Sequence, residues 1–415
     1  MYTKKLKNIS KFLIVSIFAI LFNFSSSQAK VKLGIDVLQD SNFTQLKGKR
    51  IALLANFASR NSTGQLTFSV IRNQKNVKLI KVFTPEHGFY TTVSAGEHVG
   101  NMDIDSIPCI SLYGASRKPS ASDLKNIDAI LIDLQDVGVR SYTFISTIYN
   151  VMQSASENGK EIIIADRPNP LGGESFDGNL VDSAYKSFIS ILPIPYVHGM
   201  TFGELAEYIN NESQLSKSKK LKCKLTIIRM QNWSRSMVWE ETGLKWYSTS
   251  PNVPSVDAIR GMTVLGCIGE LGNSDIGINN QLPFQTLTLY GSRNKFENDL
   301  NFLAEMEENG VYLEFTKRTN NKNEFTLYLD FKKEAKHRYY TAFLLLLYKL
   351  NEVYPEKFQS DKIKENNLAM FRKATGKADI LSSMQYKDTY LMLLQTMELE
   401  LDSFKNIRAK YLIYK

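Results

Sequence analysis

Residues 128–140 read Asp-Ala-Ile-Leu-Ile-Asp-Leu-Gln-Asp-Val-Gly-Val-Arg. They begin as an unbroken apolar run, the pattern of a strand buried on both faces of a parallel sheet. They end in an amide, a carboxylate, a glycine and a guanidinium. In an open α/β sheet the ligand crevice lies outside the carboxyl ends of the strands. Gln135, Asp136 and Arg140 are therefore candidates for the rim of a site. A capping turn after an ordinary strand uses the same residue types, and this stretch alone leaves both readings open.

Working outward, strands and helices alternate. Lys49 to Asn56 and Val77 to Phe83 read as buried strands around a helical segment near 63–73, which Ser62 or Thr63 is placed to cap. Ile107 to Leu112 is short and β-like, with Pro108 marking a strand start or an edge. Beyond Arg140 a helix is expected from about Tyr142 to Asn158, then a strand over Glu161 to Asp166. The run Arg167-Pro-Asn-Pro-Leu-Gly-Gly173 must be a loop. Thr201 is a natural cap for a helix over Phe202 to Asn210, Ser216 to Lys222 reads as a solvated turn, and Leu225 to Met230 as a further strand. This alternation predicts an α/β fold, a Rossmann-like parallel sheet domain.

The texture changes near Ser255, where a domain boundary is expected. Gly261 to Asn280 reads as long loops around a strand or two, and Asn294 to Glu307 as a helix. Tyr312 to Thr316 and Phe325 to Phe331 alternate as antiparallel strands do, and Tyr339 to Val353 and Thr389 to Leu401 are helical. The expected organisation is a Rossmann-like catalytic domain over 30–255 and a smaller C-terminal α+β domain over 256–415.

Residues 1–29 stand apart. Lys4, Lys5, Lys7 and Lys11 precede an apolar run from Phe12 to Phe22, and Ser27-Gln28-Ala29 offers small residues for cleavage. This is the pattern of a secretory signal peptide, with no cysteine at the cleavage point for a lipid anchor. It predicts a periplasmic or secreted protein without stable membrane insertion. Removing it takes four lysines and lowers the formal charge from +9 to +5. That modest excess favours anionic partners; no dense Lys/Arg run interleaved with aromatics suggests nucleic acid. Cys109, Cys223 and Cys267 are too scattered for a zinc motif or a disulfide framework and read as buried thiols.

His87, His98 and His198 fall in turn-like segments, each near a glutamate: Glu86, Glu97 and Glu204. In a parallel sheet the loops after Phe83, Leu134 and Ala165 open on one edge. Glu86, Glu97, Asp136, Arg140, Asp166, Arg167, Asn169 and His198 would then share a crevice. Paired carboxylates in a cleft suit glycosidic cleavage, one protonated to assist the leaving oxygen and one ionised. Each residue also has a plain structural reading, as a hydrogen-bonded turn or a salt-bridged loop. His87 and His98 fit no compact metal motif, no G-x-S-x-G elbow is present, and no G-x-G-x-x-G follows the first strand. No metal and no cofactor is expected.

The motifs occur in a distinctive order. Leu46-Lys-Gly-Lys-Arg50, Thr84-Pro-Glu-His-Gly88, Ala95-Gly-Glu97, Leu112-Tyr-Gly114 and Gln135-Asp-Val-Gly-Val-Arg140 come first. Asp166-Arg-Pro-Asn-Pro170, Pro195-Tyr-Val-His-Gly-Met-Thr201 with Gly203-Glu204, and Ser250-Pro-Asn-Val-Pro254 follow. Over most of the chain this series resembles the NamZ-type exo-β-N-acetylmuramidases, a family long known only as a domain of unknown function. The resemblance implies a Rossmann-like domain, a smaller C-terminal domain and a cleft between them. It also implies release of terminal N-acetylmuramic acid from the non-reducing end of peptidoglycan-derived oligosaccharides or muropeptides. On that footing Glu86 is the first choice for acid/base work, with Glu97 or Asp136 as second carboxylate. Arg140 or Arg167 would bind the lactyl carboxylate. His87, Gln135, Asp166, Asn169, His198 and Asn252 complete the expected substrate contacts.

One region departs from the family pattern. Where many members carry Ser-Glu-Gly-Arg-Gly-Thr and then Pro-Phe-Glu, this chain has Gly272-Asn-Ser-Asp-Ile-Gly-Ile-Asn-Asn-Gln281 and then Leu282-Pro-Phe-Gln285. That difference keeps a second reading open, a non-catalytic muropeptide-binding protein. A third is a hydrolase of cell-wall amides or esters.

Overall fold

The computed structural model describes residues 30–212, 215, 221–278, 280–291, 293–317 and 323–415. The expected signal peptide and most of the lysine-rich turn at 216–222 lie outside the described residues. Among those described, no helix is long and apolar enough to cross a membrane.

A seven-stranded sheet forms the first half. Its strands are β1 (Arg50–Leu54), β2 (Lys78–Thr84), β3 (Met102–Ile104), β4 (Ile107–Ser111), β5 (Ala129–Ile132), β6 (Glu161–Ala165) and β7 (Lys224–Ile228), in the order β3-β4-β2-β1-β5-β6-β7. All pairs are parallel except β3 with β4. The order reverses between β1 and β5, so the switch point falls beside the opening stretch.

Successive side chains of a strand point to opposite faces. Ala52, Leu54, Ile130, Ile132, Ile162 and Ile164 accordingly join one core with helices Phe144–Glu157 and Phe202–Asn211. Ile51, Leu53, Leu131 and Ile163 join another with helices Gly34–Asp40 and Thr67–Arg72. Both faces are covered, and for that reason β5 and β6 contain no exposed residue. Cys109, Cys223 and Cys267 are free and buried.

The second half is smaller and carries an antiparallel sheet, β8 (Thr286–Tyr290), β10 (Glu324–Phe331) and β9 (Val311–Lys317), in that order. The apolar helix Tyr339–Val353 packs beside it, and the long helix runs Lys387–Arg408, beyond both ends of its sequence pattern. The helix expected over 294–307 is two, Asn294–Glu297 and Leu300–Glu308, because Asp299 caps the second by accepting from Phe302 N.

The loop expectation for 261–280 is overturned over its first half, which belongs to helix Val256–Glu270. Ser255 Oγ caps it by accepting from Ala258 N at 3.1 Å. Its glycines are contact surfaces rather than breaks. A Cβ on Gly261 would lie 2.1 Å from the Phe284 carbonyl oxygen, and one on Gly269 would lie 2.3 Å from Ile276 Cδ1. Ile276 and Phe284 therefore lie directly on the helix, and glycine's weak helix propensity is the cost of that approach.

Candidate active site

Glu86 follows β2 in the turn Pro85-Glu-His-Gly88, where His87 adopts φ +69° and Gly88 φ +72°. A non-glycine residue in the left-handed region is uncommon and tends to mark a constrained functional turn. His87 Nδ1 lies 2.8 Å from the Val93 carbonyl oxygen, so this nitrogen carries the proton. Burial lowers the His87 pKa, which keeps the ring neutral. Glu86 is itself buried, with Oε1 accepting from Gly96 N at 2.8 Å and Oε2 from Thr143 Oγ1 at 2.5 Å. Tyr113 stands near this carboxylate, and burial together with the Glu86 charge pushes the phenol up to about 12. Two donors from two segments hold one carboxylate.

Glu86 opens on a cleft of about 440 Å³, within the roughly 300–1,000 Å³ typical of small-molecule sites. His87, Gly96, Tyr113, Tyr142, Thr143 and Asn252 line the first-half side. From the second half comes Glu270, the last residue of helix Val256–Glu270. Burial raises its pKa, and the carbonyl end of the helix disfavours a negative charge in the same direction. The cleft thus holds two carboxyl groups in different environments. One is set among hydrogen-bond donors; the other, desolvated at a helix end, favours keeping its proton.

Several expected residues lie elsewhere. Glu97 is exposed on the loop tip and is not in the cleft; its neighbour Gly96 supplies the contact to Glu86. Asp136 and His198 are buried beside one another and do not line the cleft, with His198 Nε2 3.1 Å from Asp136 Oδ2. His198 Nδ1 accepts from Met200 N, which leaves the proton on Nε2, facing the carboxylate off the ideal line. Burial raises the pKa of Tyr142 in the cleft wall, and the charges of Glu86 and Asp136 push it the same way.

Arg140 is not available to a sugar carboxylate. Its Nη1 donates to the carbonyls of Asn179 and Ile194, each at 2.7 Å, and its Nη2 to those of Thr375 at 2.6 Å and Ala374 at 3.3 Å. Asp166 is fully buried and accepts from Thr201 Oγ1, Gly203 N and Tyr414 Oη, which ties the C-terminal tail to the cap of helix Phe202–Asn211. Burial raises its pKa to about 6. Asn169 braces its own turn, accepting from Leu171 N and donating to the Met200 carbonyl. Gln135 and Arg167 line a separate pocket of about 190 Å³ with Arg60, Lys245 and Tyr247. Of the eleven residues expected at the site, Glu86, His87 and Asn252 line the cleft, while Glu270 and Tyr113 were not among them. Tyr113 was within reach, in the motif Leu112-Tyr-Gly114. Glu270 was hidden by the loop reading of its helix.

Comparison with known proteins agrees over nearly the whole chain. Residues 51–257 match the family described as exo-beta-N-acetylmuramidase NamZ, N-terminal, and residues 265–414 its C-terminal counterpart. The peptidoglycan beta-N-acetylmuramidase NamZ of Bacillus subtilis is 32% identical over 399 residues, covering 94% of this chain and 93% of its own. A DUF1343 family protein of Bacteroides fragilis shares the fold with a TM-score of 0.82 and 31% identity, covering 93% of this chain and 99% of its own. A second from the same organism, at 24% identity and a TM-score of 0.68, has the same coverage and supports the fold alone.

Proposed function

Because the chain belongs to the NamZ family of exo-β-N-acetylmuramidases, we propose that it is a glycoside hydrolase of peptidoglycan fragments. In this reading it removes terminal N-acetylmuramic acid from their non-reducing end, and residues 1–29 direct it to the cell envelope. The observation that carries the reading is the placement of Glu86 and Glu270 in one cleft.

Glycosidic cleavage asks for a proton at the leaving oxygen and a carboxylate at the sugar carbon or at the attacking water. Glu270 suits the first task because burial raises its pKa. Glu86 suits the second because Gly96 N and Thr143 Oγ1 donate to it and fix its rotamer. The apolar part of the cleft lowers the local dielectric and so strengthens the effect of the Glu86 charge on the developing oxocarbenium centre. The direct test is incubation with a chromogenic β-N-acetylmuramide and with a muramic-acid-terminated disaccharide. Free N-acetylmuramic acid is expected from both. Binding without any release between acid and alkaline pH would leave a muropeptide-binding protein instead.

A further inference from the structure

At the carboxyl edge of the sheet, where a doubly wound fold places its ligand, lies the second pocket, of about 190 Å³. Its walls leave three neighbouring parallel strands: the segment 58–64 follows β1, Gln135 follows β5 and Arg167 follows β6. It shares no lining residue with the cleft of Glu86 and Glu270. Three of its lining residues are cationic, Arg60, Arg167 and Lys245, and among the described residues none that lines it is Asp or Glu. Asp133 neutralises Arg167. Arg60 is held differently. Its Nε donates to the Phe57 carbonyl at 3.1 Å and its Nη1 to that of Gly64 at 2.9 Å. The guanidinium also lies over the rings of Phe57 and Tyr247, 4.3 and 4.9 Å from their centroids, and Lys245 Nζ lies 5.3 Å from that of Tyr247. Among the described residues, neither Arg60 nor Lys245 is paired with a carboxylate. Asp36, which does not line the pocket, is taken up by Leu33 N and Ser62 N.

Carbonyls and ring faces fix the Arg60 guanidinium without neutralising it, which is how a preorganised anion site is built. Gln135 adds an acceptor. Its Nε2 donates to the carbonyls of Asp136 and Pro168, each at 2.9 Å, and this fixes the amide so that Oε1 is left buried without a partner among the described residues. A buried acceptor of that kind calls for a donor. Leu33, Ala58, Leu244 and Trp239 give the pocket an apolar surface. We infer that this pocket is a binding site for an N-acylated amino acid, free or as the carboxyl end of a peptide. The carboxylate goes to Arg60 and Lys245, the N–H to Gln135 and the side chain to the apolar surface. Acylation is required because a free ammonium would meet three cations and no lining carboxylate. The volume, below the roughly 300–1,000 Å³ of ordinary small-molecule sites, limits the ligand to about one residue.

Calorimetric titration of the full chain with N-acetylalanine and with N-acetylalaninamide, the same body without the charge, tests this. It needs no turnover, so its outcome is independent of the hydrolase reading. Saturable binding of the acid is expected, at least about tenfold tighter than that of the amide. Lys245→Glu and Arg60→Gln should each weaken the acid by about tenfold at low salt and leave the amide little changed. Lys245 is exposed, so its variant changes the charge without unpacking the loop that Arg60 braces. No binding of the acid, equal binding of acid and amide, or acid binding that both variants keep overturns the inference. Two further arms separate the sources, and either positive result supports the site. A KM that rises in Lys245→Glu for a peptide-bearing glycan, and not for the same glycan without peptide, places the ligand on the substrate. A KM for the peptide-free glycan that N-acetylalanine alters in the unmodified protein, and not in Lys245→Glu, makes it a separate effector.

Discussion

Arg167 holds Asp133 with two nitrogens, Nε at 2.5 Å from Oδ1 and Nη2 at 2.9 Å from Oδ2, just past the carboxyl end of β5. Both side chains are buried, and Asp133 also accepts from Thr67 Oγ1. Breaking such a pair leaves a charge without its partner, which costs about 3–5 kcal/mol. Arg167→Met should therefore lower the unfolding free energy by about that amount, read as a lower urea midpoint. A raised KM with unchanged stability would mean instead that Arg167 binds substrate.

Glu86→Gln should separate chemistry from folding. A glutamine still accepts from Gly96 N, and the Thr143 hydroxyl can turn to accept from the new amide. The expected result is a kcat lower by about 10²–10⁴-fold with little change in the denaturation midpoint. Retained turnover would remove Glu86 from the reaction.

The raised pKa of Glu270 sets the alkaline limb of the pH profile. As general acid the group works while protonated, so kcat/KM should fall as pH rises through a value above that of an ordinary glutamate. Glu270→Gln should lose turnover of natural glycosides, keep it for aryl glycosides whose leaving group needs no proton, and lose that limb. An unchanged alkaline limb in the variant would assign it to another group.

Gly261→Ala pits two effects against each other. Replacing glycine by alanine within a helix favours folding by about 0.8–1 kcal/mol. Overpacking costs about 1–3 kcal/mol, and this Cβ would meet a backbone oxygen, that of Phe284, at 2.1 Å. Net destabilisation is expected, together with a higher KM, because Phe284 lines the cleft and must move. Thermal melting and steady-state kinetics measure the two.

The sheet was legible because its strands are buried on both faces and spell that out as apolar runs; β1, β5 and β6 fall where the pattern puts them. The site was legible only where a residue's role is local. Glu86 and His87 follow a strand directly, and the end of that strand predicts an open edge. Arg140 and Asp166 share that signature, yet some of the partners that engage them lie more than 200 positions away, at Thr375 and Tyr414, and no local pattern reports such pairing. Glu270 was lost for a different reason. The glycines at 261 and 269 imitate a loop when their cause, Phe284 and Ile276 lying against the helix, is out of view.

The four carbonyls around Arg140 come from both halves, Asn179 and Ile194 from the first, Ala374 and Thr375 from the second. The two carboxyl groups of the cleft are divided in the same way. Neither half holds a finished interior or a finished site. Exchanging one half for that of an unrelated protein would strand the guanidinium without half its acceptors and leave one glutamate facing solvent. The two halves can therefore be inherited only together, and their boundary is not a place where evolution or a protein engineer can cut.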